Sequence, residues 1–176
     1  MNKKIAITCG DFNGIGPEVI EKALNKLSLP AEKFIIIGSK DLFENLKDDY
    51  EYVEIPFKKE WMNIGKETKE AGEFSYSCLI KACELAKEGK IKAIVTAPVS
   101  KNAMHIAGHY FSGQTEVLEK NLANPAKDEK AEMVFVSDDL RVLLLTRHLA
   151  LKDVKITKDL LIEKIKRIHR VLTKNF

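Results

Sequence analysis

The chain has 176 residues, 45% of them hydrophobic and 31% charged. That is the balance of an ordinary soluble globular protein, long enough for one medium domain or for one lobe and the start of a second. The net charge of +3 is spread along the chain with no basic block to neutralise a run of phosphates, so the sequence predicts no nucleic-acid partner. No apolar run approaches the roughly 18 residues of a bilayer-spanning helix, and Lys3 and Lys4 leave no room for a signal-peptide core before the first strand.

Lys4 to Cys9 is a short apolar run closed by Gly10, which predicts a strand. Asp11 to Gly16 reads as a loop. Pro17 has the fixed φ of a first helical position, and Glu18 places negative charge where the helix dipole favours it. Val19, Ile20, Ala23, Leu24 and Leu27 then follow helical spacing. Phe34 to Ile37 is apolar on both faces, as a covered parallel strand requires. Ser39 can cap a helix running to about Leu46. Tyr52 to Ile55, stopped by Pro56, predicts a third strand. Residues 57–68 are polar and irregular.

A long helix is predicted from about Glu70 to Lys87, ended by Gly89. Ile91 to Thr96 reads as a strand, Lys101 to Ile106 as a short helix capped by Ser100, and Thr115 to Leu122 as another helix. Residues 123–130, with Pro125, are the linker candidate. Glu132 to Val136 and Arg141 to Thr146 form a predicted hairpin around Asp138-Asp139. The last helix spans about Lys158 to Thr173, capped by Thr157, with Leu161, Ile165, Ile168 and Leu172 as its apolar stripe. Strands alternating with helices through residue 96 give an α/β class, expected as a three-layer α/β/α arrangement on a largely parallel sheet. Expected domains are an N-terminal lobe over 1–125 and the start of a second lobe over 126–176.

Cys9, Cys78 and Cys83 make an odd set without CxxC spacing, which argues against a disulfide framework or a structural zinc site. Three reduced, buried thiols and a reducing cytoplasm are expected.

Candidate chemistry sits at the ends of predicted strands. In Gly10-Asp11-Phe12-Asn13-Gly14-Ile15-Gly16-Pro17-Glu18, glycines let backbone approach a ligand and the helix start offers free N–H groups. A tight strand-to-helix turn explains the glycines equally well, and the dinucleotide and Walker spacings are both absent. Asp11 is explained least by such a turn, because a carboxylate at the carboxyl edge of a parallel strand lies where α/β sheets hold ligands. Thr96-Ala97-Pro98-Val99-Ser100-Lys101 follows a strand on the same edge. Lys101 could meet a phosphate or carboxylate as a compact charge, or simply be solvated. In Phe111-Ser112-Gly113-Gln114-Thr115-Glu116, Gln114 and Thr115 offer an amide and a hydroxyl at a helix start, and an ordinary threonine N-cap is the plain alternative. His148, after a strand end, could ligate a metal or move a proton, although lone histidines are commonly loop residues. One histidine alone cannot hold a catalytic metal.

Taken together and in order, these segments resemble the 4-hydroxythreonine-4-phosphate dehydrogenase family of pyridoxal phosphate biosynthesis. The resemblance rests on Gly10 to Glu18, Ala93 to Lys101, Gly113-Gln114-Thr115-Glu116 (Gly-His-Thr-Glu in the family), and Ser137 to Val142 followed by Thr146-Arg147-His148-Leu149. It implies an isocitrate/isopropylmalate dehydrogenase-like fold and a cytoplasmic homodimer. The implied enzyme oxidises 4-phosphooxy-L-threonine with NAD or NADP, and the 3-oxo product loses carbon dioxide to give 3-amino-2-oxopropyl phosphate. It also implies a divalent metal (Zn, Mg or Co) held by three histidines, the first matching His148, and a substrate-binding role for Gln114 and Thr115. Asp11 and Lys101 remain catalytic candidates. Gln114 departs from the family histidine, which leaves open another phosphorylated hydroxy acid, such as a four-carbon sugar-acid phosphate, or a non-catalytic phospholigand-binding module. The family continues past residue 176 into its other metal and substrate ligands, so the chain is expected to be an N-terminal portion with an incomplete second lobe, inactive alone.

Overall fold

The computed structural model describes residues 3–47, 49–127 and 129–175. They form two compact units, Met1–Glu129 and Lys130–Phe176. Residue 128 of the linker candidate lies outside the described residues.

The first unit is built on β1 (Lys4–Thr8), β2 (Phe34–Gly38), β3 (Glu51–Glu54) and β4 (Ile91–Thr96), in the order β3-β2-β1-β4. Every pairing is parallel. All five residues of β2 are buried, as its unbroken Phe-Ile-Ile-Ile run requires of a strand covered on both faces. At β4 the sheet ends, and Ala93 and Val95 are exposed there. The chain steps from β1 outward to β3 and then returns to the opposite flank of β1 as β4. The carboxyl ends of β1 and β4 therefore border the point where strand order reverses.

Helix α1 (Gly16–Lys26) starts with proline in its first turn, as expected. Of its predicted apolar stripe only Ile20 and Leu24 are buried, while Val19 and Leu27 are about half exposed. Those two belong to a second row of the helix, offset from the one facing the core. The helix expected after Ser39 is only a single 3-10 turn over Lys40–Leu42. Downstream, the N–H groups of Glu44 and Asn45 donate to the Glu21 carboxylate, and that of Lys47 donates to the Asn25 side chain. Side chains of α1 thus take the donors that a helical ladder would have used.

Helix α2 (Lys69–Lys87) packs against β1, β2 and β4. Its ends are set by local chemistry. The Thr68 hydroxyl accepts the Ala71 N–H at 3.2 Å. At the other end Gly89 turns left-handed (φ +69°), with Gly89 N–H bonded to Ala86 and Lys90 N–H to Leu85. Helices α3 (Lys101–Ile106) and α4 (Gln114–Leu122) lie on α2. A side chain at Gly72 would come within 1.9 Å of the Ala103 carbonyl, so glycine is what lets α2 and α3 touch.

In the second unit, β5 (Val134–Val136) and β6 (Arg141–Leu143) form the expected antiparallel hairpin, closed by a Ser137 N–H to Leu140 carbonyl bond of 2.8 Å. Both strands are shorter than their apolar runs suggested. Helix α5 (Lys158–Asn175) follows a cap in which Leu160 N–H donates to the Thr157 hydroxyl. Its expected stripe is largely outward, with Leu161, Ile165 and Leu172 exposed. The inward residues are charged instead. Lys164 and Arg167 both bond the Glu132 carboxylate, Arg167 at 2.6 Å, in a cluster whose side chains are at most 14% exposed. Among the described residues, no helix is long and apolar enough to cross a membrane.

Candidate functional site

Gly10 adopts φ +68°, and a Cβ there would lie 2.3 Å from the Pro98 carbonyl oxygen. Only glycine allows the turn after β1 to press onto the turn after β4. The contact is fastened by Asp11 N–H donating to Pro98 at 3.0 Å, one residue beyond the Ala97 N–H to Thr8 bond that ends the sheet ladder. Phe12 then drops into the core, edge-on to Phe57 and Phe74 at 5.2 and 5.4 Å. The turn is pinned by a buried ring as well as by backbone bonds.

Asp11 is 7% exposed. Its carboxylate accepts the Asn13 N–H at 2.8 Å. Burial raises its pKa above the ordinary carboxylate value. The Asn13 N–H pulls the other way, and the negative charge of Glu67 adds to the rise.

Asn13, 2% exposed, ties this turn to residues 63–68. Its side-chain oxygen accepts the Asn63 N–H at 2.7 Å, and its amide donates to the Lys66 carbonyl and the Thr68 hydroxyl at 3.1 and 3.2 Å. The same loop presents Glu67, which accepts from the Ser100 hydroxyl at 2.7 Å and the Asn102 amide at 3.1 Å. Ser100 also caps α3 by accepting the Ala103 N–H. A chain of hydrogen bonds thereby joins the Asp11 turn, the 63–68 loop and the start of α3, where Lys101 stands.

The segment before α4 closes onto the same rim. A Cβ on Gly113 would meet the Glu116 carboxylate at 3.0 Å and the Lys101 stem at 4.0 Å. Gln114 donates its side-chain amide to the Ala97 carbonyl at 3.2 Å. Its other end, the carbonyl Oε1, is buried and has no hydrogen-bond partner among the described residues. Helix α4 begins at Gln114 with Gly113 as its cap, so the half-buried Thr115 is a helical residue rather than the N-cap that a plain reading of the motif would make it.

Asp11, Lys101, Gln114 and Thr115 therefore share the rim formed by the carboxyl ends of β1 and β4. His148 belongs to the second unit, in the loop after β6, where it is exposed and left-handed at φ 54°. It is the one non-glycine residue with positive φ among those described, a conformation that local context must hold in place. His105 bonds the Phe111 carbonyl at 3.0 Å, and His109 stacks on Tyr76 and bonds Glu73 at 2.8 Å. Among the described residues no group of three His, Cys, Asp or Glu side chains could hold a metal ion. A separate cavity of about 340 Å³ beyond β3, between Ile55, Pro56, Trp61, Lys69 and Phe74, involves none of the sequence-predicted residues. Glu67 and the anchoring role of Asn13 had no signal in the sequence, because their partners lie roughly 35 to 55 residues away in a stretch without periodicity.

Comparison with known proteins agrees with this architecture. The profile of the family described as pyridoxal phosphate biosynthetic protein PdxA matches residues 8–176. The chain is 34% identical over 174 residues to D-threonate 4-phosphate dehydrogenase of Salmonella typhimurium, covering 85% of this chain and 52% of that protein. It is 33% identical over 195 residues to 4-hydroxythreonine-4-phosphate dehydrogenase of Zymomonas mobilis, covering 99% and 57%. The crystal structure of a 4-hydroxythreonine-4-phosphate dehydrogenase from Burkholderia phymatum superposes with a TM-score of 0.80 at 27% identity, over 99% of this chain and 59% of that one. The chain thus spans about half the length of the curated relatives it matches. With the family profile, the parallel sheet and the flanking helices in agreement, the chain belongs to the pyridoxal phosphate biosynthetic protein PdxA family.

Proposed function

We propose that this chain supplies part of the active site of a nicotinamide-dependent dehydrogenase acting on a four-carbon phosphorylated hydroxy acid. The observation that carries the reading is the shared rim. Asp11, Lys101 and Gln114 are gathered by Pro98, Ala97 and Gly113 at the strand-order reversal of a parallel sheet, where α/β folds hold ligands. In this reading Lys101 meets the phosphate or carboxylate as a compact cation. Gln114 and Thr115 orient the ligand. Asp11, its pKa raised by burial, is the group able to hold a proton beside the reacting hydroxyl.

NAD or NADP would accept the hydride, the protein contributing position and charge. A family-type divalent metal would polarise the forming carbonyl. His148 is the described residue matched to its first ligand, and it alone is too few to hold the ion. A cytoplasmic homodimer belongs to the same proposal.

The leading substrate is 4-phosphooxy-L-threonine, whose 3-oxo acid decarboxylates to 3-amino-2-oxopropyl phosphate. D-threonate 4-phosphate is the second reading. It is favoured by glutamine at 114 in place of the family histidine and by the name of the Salmonella relative. Both substrates are offered to the full-length protein with NAD or NADP and added divalent metal, and the absorbance of reduced nicotinamide is followed. Turnover of one substrate, lost in Lys101→Ala and Asp11→Asn, is expected. No reduction of either nucleotide with either substrate would sink the proposal.

A further inference from the structure

Both carboxylate oxygens of Glu67 are spent on the start of α3. One accepts the Ser100 hydroxyl at 2.7 Å and the other accepts the Asn102 amide at 3.1 Å. Ser100 and Asn102 are the two neighbours of Lys101, so the carboxylate brackets the lysine while bonding neutral donors on either side of it. The bond to Ser100 has a second effect. A hydroxyl carries one proton, and giving it to Glu67 turns the oxygen's lone pairs toward the Ala103 N–H, 3.1 Å away, which sets the cap of α3. Glu67 itself stands on a loop tied to the Asp11 turn. The Lys66 carbonyl and the Thr68 hydroxyl, on either side of it, both accept from the Asn13 amide, and the Gly65 N–H donates to the Asn13 carbonyl at 2.8 Å. One carboxylate therefore connects the turn that carries Asp11 to the helix start that carries Lys101.

From this geometry we propose that Glu67 is a positioning residue for the reaction, holding Lys101 in register with Asp11 across the rim. This rests on the dehydrogenase reading above. Glu67 acts through the two residues that meet the ligand rather than by touching it. A cation that grips a phosphate and a carboxyl that handles a proton must keep a fixed separation, and a displacement of about 1 Å can cost about a hundredfold in rate. The clamp also carries charge. Burial is the main reason Asp11 holds its proton more readily than an ordinary carboxylate. The Asn13 N–H opposes this, the negative charge of Glu67 adds to it, and the Gly14 N–H opposes it. As a proton acceptor Asp11 must be ionised, so Glu67 moves the acid limit of turnover toward neutral pH, and removing its charge lets Asp11 work at lower pH.

The test compares wild type, Glu67→Ala and Glu67→Gln in the full-length protein, with 4-phosphooxy-L-threonine and D-threonate 4-phosphate, NAD or NADP and added divalent metal. Glu67→Ala removes both clamp and charge. Glu67→Gln removes the charge alone, because its oxygen accepts from Ser100 and its NH2 group donates to Asn102 once that exposed amide turns its own oxygen inward. Glu67→Ala is expected to lower kcat/KM by about tenfold or more. Glu67→Gln should recover most of that loss. In both variants the acid limb of the kcat/KM profile should move to lower pH, a change that loosened structure alone does not produce. An alanine variant within about threefold of wild type, a glutamine variant as impaired as the alanine one, or an acid limb that stays in place overturns the proposal, while wild-type turnover leaves the dehydrogenase reading standing. Should Glu67→Ala fail to fold, the position of the limb in Glu67→Gln decides. Absence of turnover in the wild type would instead remove that reading and the proposal with it.

Discussion

Replacing Asn13 tests the account of how the rim is held. Asn13→Ala removes three side-chain hydrogen bonds, to Asn63 N–H, the Lys66 carbonyl and the Thr68 hydroxyl. Each contributes about 0.5–1.5 kcal/mol net. Asn63 and Lys66 are exposed and can rehydrate, and Thr68 keeps its bond to Ala71, so the loss belongs at the lower end of the sum, about 2 kcal/mol. For a urea slope near 2 kcal/mol/M this lowers the midpoint of the first unit's transition by about 1 M. Asn13→Asp separates hydrogen bonding from shape. One carboxylate oxygen can still accept the Asn63 N–H, but the other faces the Lys66 carbonyl where an NH2 group stood. A nearly buried charge is added as well. At neutral pH the aspartate variant should be at least as unstable as the alanine variant. It should recover part of the loss on acidification, since protonation restores a donor toward Lys66. Urea melts followed by circular dichroism at neutral and mildly acidic pH measure both variants. An alanine variant within about 0.5 kcal/mol of wild type, or an aspartate variant indistinguishable from wild type at neutral pH, would refute the reasoning.

Asp11→Asn should melt at a higher temperature than wild type near neutral pH while losing turnover. The raised pKa means the folded state prefers the protonated carboxyl, so above that pKa the charge costs stability, and the cost is relieved as pH falls through it. The gain should shrink toward acid pH in scanning calorimetry, and a gain independent of pH would contradict the assignment. Glu132→Ala removes the carboxylate that Lys164 and Arg167 share and should destabilise the second unit by about 2 kcal/mol, read as loss of α5 helicity in urea. The three thiols should resist a thiol reagent in the native state at mildly alkaline pH and react together on unfolding. Cys9, Cys78 and Cys83 are all buried, and burial pushes Cys9 up to about 12. Fast native reaction of any of the three would count against that core.

Much of the fold could be read along the chain because central strands and helix ends carry local marks. Phe34–Gly38 is apolar at every position since both its faces are covered, and α2 is bounded by a threonine cap and a left-handed glycine. The segment after Ser39 carried a helix start yet became irregular, because Glu21 and Asn25 on α1 captured its backbone donors, a competition no local pattern encodes. The apolar row of α5 suggested an inward face, but the Glu132 cluster turned a charged row inward. At the rim, strand-end motifs pointed to Asp11, Lys101 and Gln114–Thr115. Glu67 stayed invisible, since an acidic residue in a polar stretch looks solvated until the fold brings Ser100 and Asn102 to it.

The glycine wall of the rim has a consequence for how such a site can diverge. At Gly10 any added Cβ strikes the Pro98 carbonyl, and at Gly16 it strikes the Cys9 carbonyl at 2.4 Å. Main chain cannot swing aside as a rotamer can, so this part of the rim is a mould of nearly invariant shape. Change at this edge of the sheet must then fall on side chains such as Lys101 and Gln114, which can be exchanged without recasting the backbone behind them.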